Sequence, residues 1–381
     1  MLPFVRSDLA QLTAYSNHIE DDNQHEIGLV DRLDVNENPY DLPESLKTQL
    51  IATYQATIAN NRYPDGDYHD IKQMIADYVT ESAHLSIPIQ PEQISVGNGS
   101  DELIRSILIA TCLSGNGSIL VAEPTFSMYA ILAKTLAVPV LSIERSPSNF
   151  AVAVAVAQAT IRSHPDIRVV FMVHPNSPTG NPLTDSELDW LRSLPESILV
   201  VVDEAYFEFS QATVVADLAQ HPNWMILRTF SKAFRLAAHR VGYAIAHPDL
   251  SQALEKVRLP FNLPSFSQAA TRAALAHRHG LLQVVPDILQ ERYKLAQALG
   301  NHPALQVWPS QSNFLYLRLK PTITQDMASD LQTIALQLKH QGTQIRYTGG
   351  GLRITVGTPD ENIRTQERLM ALADRWINVQ V

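Results

Sequence analysis

The segment "SILVVVDEAYFEF", residues 197–209, contains an unbroken apolar run over 198–202 that ends at the acidic residue Asp203. A run that is so apolar and so short is typical of a strand buried on both faces of a helix-covered parallel sheet. A carboxylate at the end of such a strand needs a cationic or hydrogen-bonding partner, because burying an unpaired charge is unfavourable. The segment therefore predicts a buried strand with a ligand-binding polar end.

Other short apolar runs lie on either side of this segment and alternate with stretches of helical periodicity. This alternation predicts an α/β fold, with a large doubly wound domain around a mostly parallel seven-stranded sheet and a smaller α+β domain. We expect an N-terminal arm over residues 1–45 that contributes to the small domain and to a dimer. The large domain is predicted over 46–265 and the small domain over 266–381. The other strand-like runs lie in "ISVGNG", "SILVAEPTF", "PVLSI", "RVVFMVHPNSPTG", "NWMILRTFSK" and "GYAIAHP".

Composition excludes several classes of function. The 381 residues carry a formal net charge of -10, which disfavours the basic surface of a nucleic-acid-binding protein. The single cysteine, Cys112, excludes intrachain disulfides and multi-cysteine metal sites, and its apolar neighbours predict a buried, inert thiol. No metal site is predicted. The N-terminus lacks the pattern of a signal peptide and no apolar run is long enough to span a membrane, so we expect a soluble, cytoplasmic protein.

The residues that follow the predicted strands are chemically diverse. Ligands of open parallel sheets bind beyond the carboxyl ends of the strands, so these residues are the best candidates for a site. Together they supply an anion-binding turn, an aromatic ring, an amide, a carboxylate, a phenol, an amine and a guanidinium. The candidates are Gly99, Ser100, Asp101, Phe126, Asn176, Asp203, Tyr206, Ser231, Lys232 and Arg240.

Each of these signals is weak when it is taken alone. The stretch "GNGSDEL" resembles a phosphate-binding turn at a helix N-terminus, but taken alone it is more typical of a helix N-cap formed by Ser100 or Asp101. Phe126 is compatible with a core position, and "HPNSPTG" with a proline-rich loop. A nucleotide-binding module is disfavoured, because neither a GxGxxG motif nor a P-loop lysine is present.

Taken together, the same residues fit pyridoxal 5'-phosphate. An amine forms a Schiff base with the aldehyde of this cofactor, and a carboxylate keeps its pyridine nitrogen protonated. A phenol and an amide bind the ring oxygen, and an aromatic ring stacks on the pyridine. A helix N-terminus, hydroxyls and an arginine suit its phosphate.

The chain also resembles a known family, the histidinol-phosphate aminotransferases of fold-type I. The resemblance extends from about residue 36 to residue 359, with the motifs in the family's order. It implies a pyridoxal-phosphate-dependent aminotransferase of histidine biosynthesis that transfers an amino group between histidinol phosphate and 2-oxoglutarate or glutamate by a ping-pong mechanism. The matching motifs are "NENP", "NRYPD", "NGSDELI", "EPTFSMY", "HPNSPTG", "VVDEAY", "RTFSKAFRLAAHRVGY" and "LRITVGTP".

The resemblance assigns roles to individual residues. Lys232 is implied as the Schiff-base lysine, Asp203 as the partner of the pyridine nitrogen, and Asn176 and Tyr206 as partners of the ring oxygen. Phe126 takes the stacking position, where the family commonly has tyrosine, so stacking is kept and one hydrogen bond is lost. The residues implied around the cofactor phosphate are Gly99, Ser100, Asp101, Thr229, Ser231 and Arg240.

The resemblance also implies substrate contacts and a homodimer. Tyr63 matches the tyrosine that reaches the cofactor phosphate of the neighbouring subunit, so active sites shared across a dimer interface are expected. Arg353 matches the arginine that pairs with the substrate α-carboxylate, for which its fork geometry is suited. Asn38 and Asn176, together with Tyr63, complete the implied substrate-binding set.

The segment between Arg346 and Arg353 departs from the family pattern. It is short and glycine-rich over residues 349–351, where relatives carry a longer loop. Arg346 is either a ligand of the substrate phosphate or distal carboxylate, or a surface arginine at a strand edge. An aromatic amino-acid aminotransferase therefore stays an alternative, as does a pyridoxal-phosphate-dependent decarboxylase of a phosphorylated amino acid.

Overall fold

A computed structural model describes residues 2, 4–12, 30–115 and 117–378 of the chain. The described residues divide into two compact units. The larger unit comprises the described residues within Asp41–Asn176 and Pro182–Gln283, and the smaller unit comprises those within Met1–Tyr40, Ser177–Asn181 and Val284–Val381. Within these described ranges, no helix combines the length and apolar character needed to cross a membrane, and no cluster of three side chains suits a metal ion.

Strands and helices alternate through the first two thirds of the chain. The strands are β1 (Asp31–Arg32), β2 (Ile94–Asn98), β3 (Ser118–Glu123), β4 (Val140–Glu144), β5 (Ile167–Val173), β6 (Leu199–Asp203), β7 (Trp224–Thr229), β8 (Val241–Ala246), β9 (Leu305–Trp308), β10 (Phe314–Leu319), β11 (Thr343–Gln344), β12 (Arg346–Thr348) and β13 (Gly351–Thr355). The helices are α1 (Glu44–Thr57), α2 (His69–Ser82), α3 (Gly99–Thr111), α4 (Met128–Thr135), α5 (Val154–Ser163), α6 (Asp185–Arg192), α7 (Phe207–Ser210), α8 (Pro248–Val257), α9 (Ser265–Ala276), α10 (Arg278–Leu282), α11 (Val285–Gly300), α12 (Met327–His340) and α13 (Pro359–Asn378).

The larger unit contains a seven-stranded sheet in the order β2-β8-β7-β6-β5-β3-β4. All neighbours are parallel except those of β8, which runs antiparallel to both β2 and β7. Along β6, Val200 and Val202 belong to one buried cluster and Leu199 and Val201 to the other, so the sheet has a core on each face. The predicted α/β fold with a mostly parallel, doubly covered sheet is confirmed.

The boundary between the two units differs from the predicted one at 265/266. Helix α9 packs against α1 and α2 and contributes Ala270 and Ala274 to the core of the larger unit, which continues to Gln283. The alternation of strands and helices ends earlier in sequence than the compact unit does. Within the predicted N-terminal arm, residues 13–29 lie outside the described residues.

The smaller unit has an antiparallel sheet in the order β12-β13-β10-β9 and a short parallel pair of β1 with β11. The sequence predicts a hairpin over "IRYTGGGLRITVG", and β12 and β13 form it, with Gly349 and Gly350 in the left-handed region (φ 59° and 73°) at the turn. Asp31 on β1 is buried and ion-paired with Arg364 and Arg368 of α13. These pairs connect the start of the unit to its last helix.

Candidate active site

Asp203 ends β6 at the centre of the large sheet and is only 3% exposed. Its Oδ2 accepts a hydrogen bond from the hydroxyl of Tyr129 at 2.7 Å, and its Oδ1 accepts one from the backbone N–H of Ala205 at 3.1 Å. Burial raises the pKa of Asp203 to about 6, and these two hydrogen bonds act in the opposite direction. The carboxylate is therefore held by one donor on each oxygen and is ionised at neutral pH.

Tyr129 is a site residue that the sequence analysis missed. It lies in the first turn of α4, its side chain is fully buried, and its ring stacks on Phe171 of β5 with centroids 4.6 Å apart. Phe126 meets the same ring edge-on at 5.5 Å. The only signal in the sequence is the tyrosine three positions after Phe126 in "EPTFSMY", because that spacing brings two residues together where a helix begins.

Asn176 follows β5, the strand next to β6, and is fully buried. Its Nδ2 donates to the carbonyl oxygen of Pro124 at 3.0 Å, and its Oδ1 accepts from Thr125 at 3.1 Å. The backbone N–H of His174 donates to the carbonyl of Asp203 at 2.8 Å, so the ladder between the two strands continues to this point. Asn176 and Asp203 consequently leave the sheet at the same edge.

Lys232 lies in a tight turn directly after β7, the neighbour of β6 on its other side. The turn is closed by a hydrogen bond from the N–H of Arg235 to the carbonyl of Lys232 at 3.2 Å. Lys232 is partly buried, and both of its neighbours in sequence are buried. Because β6 and β7 are parallel, the predicted lysine and Asp203 emerge at the same end of adjacent strands. Tyr206, three residues after Asp203, is buried at this end as well.

An anion cradle forms where α3 begins beside the turn that precedes β8. Gly99 has a φ of 71°, and a Cβ there would lie 2.6 Å from Nη2 of Arg240. A Cβ on Gly242 would lie 2.7 Å from the backbone nitrogen of Ser100. The Ser100 hydroxyl oxygen is buried and has no hydrogen-bond partner within the described residues. A buried hydroxyl at a helix N-terminus next to an arginine is suited to a phosphate group.

The remaining predicted phosphate ligands surround the same cradle. The hydroxyls of Thr229 and Ser231 lie 3.0 Å apart, and Nη1 of Arg240 lies 3.4 Å from the Ser231 hydroxyl. Arg240 also pairs with Asp101 across 3.3 Å. A carboxylate would repel a phosphate, so Asp101 is compatible with the cradle through its backbone and through its pairing with Arg240.

Arg228, one residue before Thr229, is a buried structural cation. It forms an ion pair with Glu204 at 2.9 Å and its guanidinium lies 3.6 Å above the ring of Phe207. Both partners of the ion pair are at most 1% exposed. This buried pair connects the residue after Asp203 to the strand that leads to Lys232.

Tyr63 lies on the surface of the larger unit, with 81% of its side chain exposed. Its ring stacks on Phe261 with centroids 4.8 Å apart. It also lines a groove of about 620 Å³ between α1, α2 and α9, together with Arg62 and Arg272. An exposed tyrosine at the rim of such a groove is available to contact another molecule.

In the smaller unit, Arg353 lies on β13 and donates to the hydroxyl of Ser177 at 3.2 Å and to the carbonyl of Asp34. Its neighbour across the strand pair is Arg346, so the two arginines lie side by side on one face of the sheet. The adjacent positive charges of Arg346 and Arg353 repel each other, and binding an anion would relieve this repulsion. Asn38, also in the smaller unit, accepts a hydrogen bond from the N–H of Tyr40 at 3.1 Å.

The fold and the arrangement of residues define a class of protein. The family model described as aminotransferase class I and II matches residues 30–368, and the chain belongs to this family. The resemblance noted from the sequence motifs is confirmed.

The most similar relatives point to one kind of aminotransferase. The chain is 60% identical over 369 residues to histidinol-phosphate aminotransferase 2 of Nostoc sp., covering 96% of each protein. It is 55% identical to the histidinol-phosphate aminotransferase of Trichodesmium erythraeum, covering 98% of this chain and 100% of that protein.

Solved structures share the fold. The crystal structure of histidinol-phosphate aminotransferase from Sinorhizobium meliloti in complex with pyridoxal-5'-phosphate superposes with a TM-score of 0.83 at 22% identity, covering 98% of this chain and 99% of that one. L-threonine-O-3-phosphate decarboxylase from Porphyromonas gingivalis superposes with a TM-score of 0.73 at 21% identity, covering 91% of this chain and 100% of that one. The fold is thus common to enzymes with different reactions.

Proposed function

We propose that this chain is a histidinol-phosphate aminotransferase that uses pyridoxal 5'-phosphate and acts in histidine biosynthesis. The aminotransferase class and its cofactor follow from the family. The observation that carries the choice of substrate is the 60% identity to the Nostoc enzyme across 96% of both chains. Identity of this degree over the full length is a stronger ground for a shared substrate than a shared fold, because one fold serves many different reactions.

The residues at the edge of the large sheet fit this cofactor. When bound, pyridoxal phosphate supplies an electron sink that stabilises negative charge on the substrate carbon. The ionised, oriented carboxylate of Asp203 would face the ring nitrogen and hold its proton. Asn176 and Tyr206 would bind the ring oxygen, and Phe126 would stack on the ring. Lys232 would bond to the aldehyde carbon of the cofactor, and once the amino donor has displaced it, its free amine would move the proton of the substrate carbon.

The cradle at the start of α3 fits the cofactor phosphate. The Ser100 hydroxyl is buried without a partner in the described part of the chain, and a phosphate oxygen would accept its hydrogen bond. Arg240, Thr229 and Ser231 add a cation and two hydroxyls to the first-turn N–H groups of α3. Gly99 and Gly242 leave room for this close approach, because a side chain at either position would collide with the cradle.

The arginine pair of the smaller unit is proposed for the substrates. Arg353 would hold the carboxylate of glutamate, since its guanidinium can form two parallel hydrogen bonds to a carboxylate. The neighbouring Arg346 would provide a second positive charge for the phosphate of histidinol phosphate or for the distal carboxylate of glutamate. Asn38 belongs to the same proposed set. One site can then serve both halves of a ping-pong reaction in turn.

A homodimer with shared active sites is part of the proposal. Tyr63 is exposed beside the groove of the larger unit, as expected for a tyrosine that completes the phosphate site of a partner subunit. A cytoplasmic location stays a prediction. The proposed partners are otherwise small molecules, namely an amino donor and a keto acid.

A panel of amino donors with 2-oxoglutarate as the acceptor tests the substrate assignment. We expect kcat/KM for histidinol phosphate to exceed the values for phenylalanine and tyrosine by at least about a hundredfold, on the order of 3 kcal/mol of transition-state discrimination. A preference for phenylalanine or tyrosine would assign the chain to aromatic amino-acid transamination instead. Release of carbon dioxide from a phosphorylated amino acid, without formation of glutamate, would assign it to decarboxylation.

A further inference from the structure

We propose that Tyr129 is a positioning residue that holds the Asp203 carboxylate in the orientation and charge state that the cofactor ring nitrogen requires. This inference rests on the proposed function and assigns a role to a residue that does not itself contact the reacting atoms. Its basis is a direct hydrogen bond of 2.7 Å from the Tyr129 hydroxyl to Oδ2 of Asp203.

The phenol ring of Tyr129 has little freedom to move away from the carboxylate. Its face stacks on Phe171 at 4.6 Å with an interplanar angle of 16°, and Phe126 packs against it edge-on at 5.5 Å. The side chain is fully buried. Packing of this kind fixes the hydroxyl before any ligand binds, which is the property expected of a group that positions another.

The carboxylate is held at both oxygens. Ala205 donates its backbone N–H to Oδ1 at 3.1 Å, while Tyr129 donates to Oδ2. Rotation of the carboxylate would break at least one of these bonds. Each carboxylate oxygen has two acceptor positions, so the two donors leave room for a further donor from the cofactor. The Asp203 carboxylate is thus held in one orientation and still has acceptor positions for a further hydrogen bond.

The charged surroundings of Asp203 oppose its ionisation. Burial raises its pKa most, and Asp101 from α3 and Glu204 from the next position in the chain raise it further. The hydrogen bond from Tyr129 is the largest influence that lowers the pKa, ahead of the one from Ala205. Two other titratable groups lie at this edge of the sheet. Tyr206 comes three residues after Asp203, and Lys232 comes after the neighbouring strand β7.

Tyr129 itself stays protonated over the working pH range. Burial and the nearby Asp203 raise the pKa of its phenol well above the ordinary value, so it acts as a permanent donor. Without this donor, Asp203 would take up a proton closer to neutral pH. A protonated carboxyl group cannot form an ion pair with a protonated pyridine nitrogen, and the cofactor would bind less tightly.

The experiment measures binding of pyridoxal phosphate to the cofactor-free protein between pH 5 and 8.5 by quenching of tryptophan fluorescence. The wild type should lose affinity as the pH falls through the midpoint set by Asp203. Tyr129→Phe should move this midpoint upward by about one pH unit, the size expected for a lost hydrogen bond to a charged group. Asp203→Asn should abolish the step, which assigns the step to Asp203 and not to Lys232.

Tyr78→Phe is the matched control. Tyr78 is also buried in the larger unit, and its hydroxyl donates to the carboxylate of Glu208 at 2.9 Å. Its removal should lower stability about as much as Tyr129→Phe does while leaving the midpoint unchanged. If Tyr129→Phe does not fold, Tyr129→3-fluorotyrosine keeps the shape and makes the phenol a stronger donor, so the midpoint should move downward.

Three results would overturn the inference. The first is a Tyr129→Phe variant whose binding midpoint lies at the same pH as that of the wild type. The second is a Tyr78→Phe variant whose midpoint shifts as far as that of Tyr129→Phe. The third is a fluorotyrosine variant whose midpoint is unchanged. A wild type that binds no pyridoxal phosphate at any pH would be a different result, because it would contradict the proposed function itself.

Discussion

The buried carboxylate of Asp203 should destabilise the cofactor-free protein at neutral pH, and Asp203→Asn should relieve this effect. Burial raises the pKa of Asp203 from its ordinary 3.8 to about 6. A carboxyl group with a raised pKa in the folded state contributes stability that is complete below the unfolded-state pKa and is lost as the pH rises through the folded-state pKa. At pH 7.5 the free energy of unfolding is therefore lower by about 3 kcal/mol, because each unit of difference between the folded-state and unfolded-state pKa corresponds to about 1.36 kcal/mol.

Asparagine is nearly the same shape as aspartate and removes the buried charge. Its Oδ1 can still accept the N–H of Ala205, and its Nδ2 can donate to the hydroxyl oxygen of Tyr129. We therefore expect Asp203→Asn to stabilise the cofactor-free protein by up to about 3 kcal/mol at pH 7.5. For a unit of this size, this corresponds to a rise in Tm of roughly 5–10 °C.

Thermal unfolding of the cofactor-free proteins, followed by calorimetry from pH 5 to pH 8, measures the effect. The advantage of Asp203→Asn should fall to about half at pH 5, because the wild-type carboxyl group is then largely protonated. Asp249→Asn, whose wild-type side chain is 89% exposed, should show no comparable pH-dependent gain. Saturating pyridoxal phosphate should stabilise the wild type more than the variant. A variant that is less stable than the wild type throughout, or a difference independent of pH, would refute the reasoning.

Two further substitutions test the cradle and the substrate arginine. In Gly242→Ala the new methyl group would lie 2.7 Å from the nitrogen of Ser100, and we expect about tenfold weaker binding of pyridoxal phosphate in a fluorescence titration. Gly280→Ala, which has open space around its Cβ, is the control, and equal affinities in the two variants would contradict the assigned cradle. Arg353→Lys keeps the positive charge but cannot form the two parallel hydrogen bonds of a guanidinium to a carboxylate. Steady-state kinetics should therefore show KM for glutamate raised by about tenfold or more. Its affinity for the cofactor should stay at the wild-type value, and a parallel loss of both would argue against the assigned role.

The sequence was sufficient to predict the sheet and the residues at its edge, because both follow from local pattern. An apolar run that ends at Asp203 is a strand end, and in a parallel sheet such ends lie along one edge. Lys232 and Asn176 could be placed at that edge for the same reason. The hairpin formed by β12 and β13 could likewise be predicted, and its Gly349 and Gly350 adopt the positive φ that few other residues tolerate.

The features that sequence reasoning missed depend on contacts between distant segments. Tyr129 reaches Asp203 from the helix α4, so it does not stand at the end of a strand, where site residues can be recognised from the sequence. Arg228 belongs to a basic stretch, and its burial depends on Glu204 from the neighbouring strand. The compact larger unit continues past the predicted boundary at 265/266, because α9 follows the last strand of the large sheet in sequence but packs onto α1 and α2.

The most direct test of the central claim is to locate the lysine that bonds to the cofactor. The protein is loaded with pyridoxal phosphate, reduced with borohydride to fix the bond, digested, and mapped by mass spectrometry. We predict one modified peptide in the wild type, with the label on Lys232. In Lys232→Ala, treated under the same conditions, we predict that no peptide carries the label. Labelling that spreads over surface lysines, or that persists in Lys232→Ala, would contradict the account.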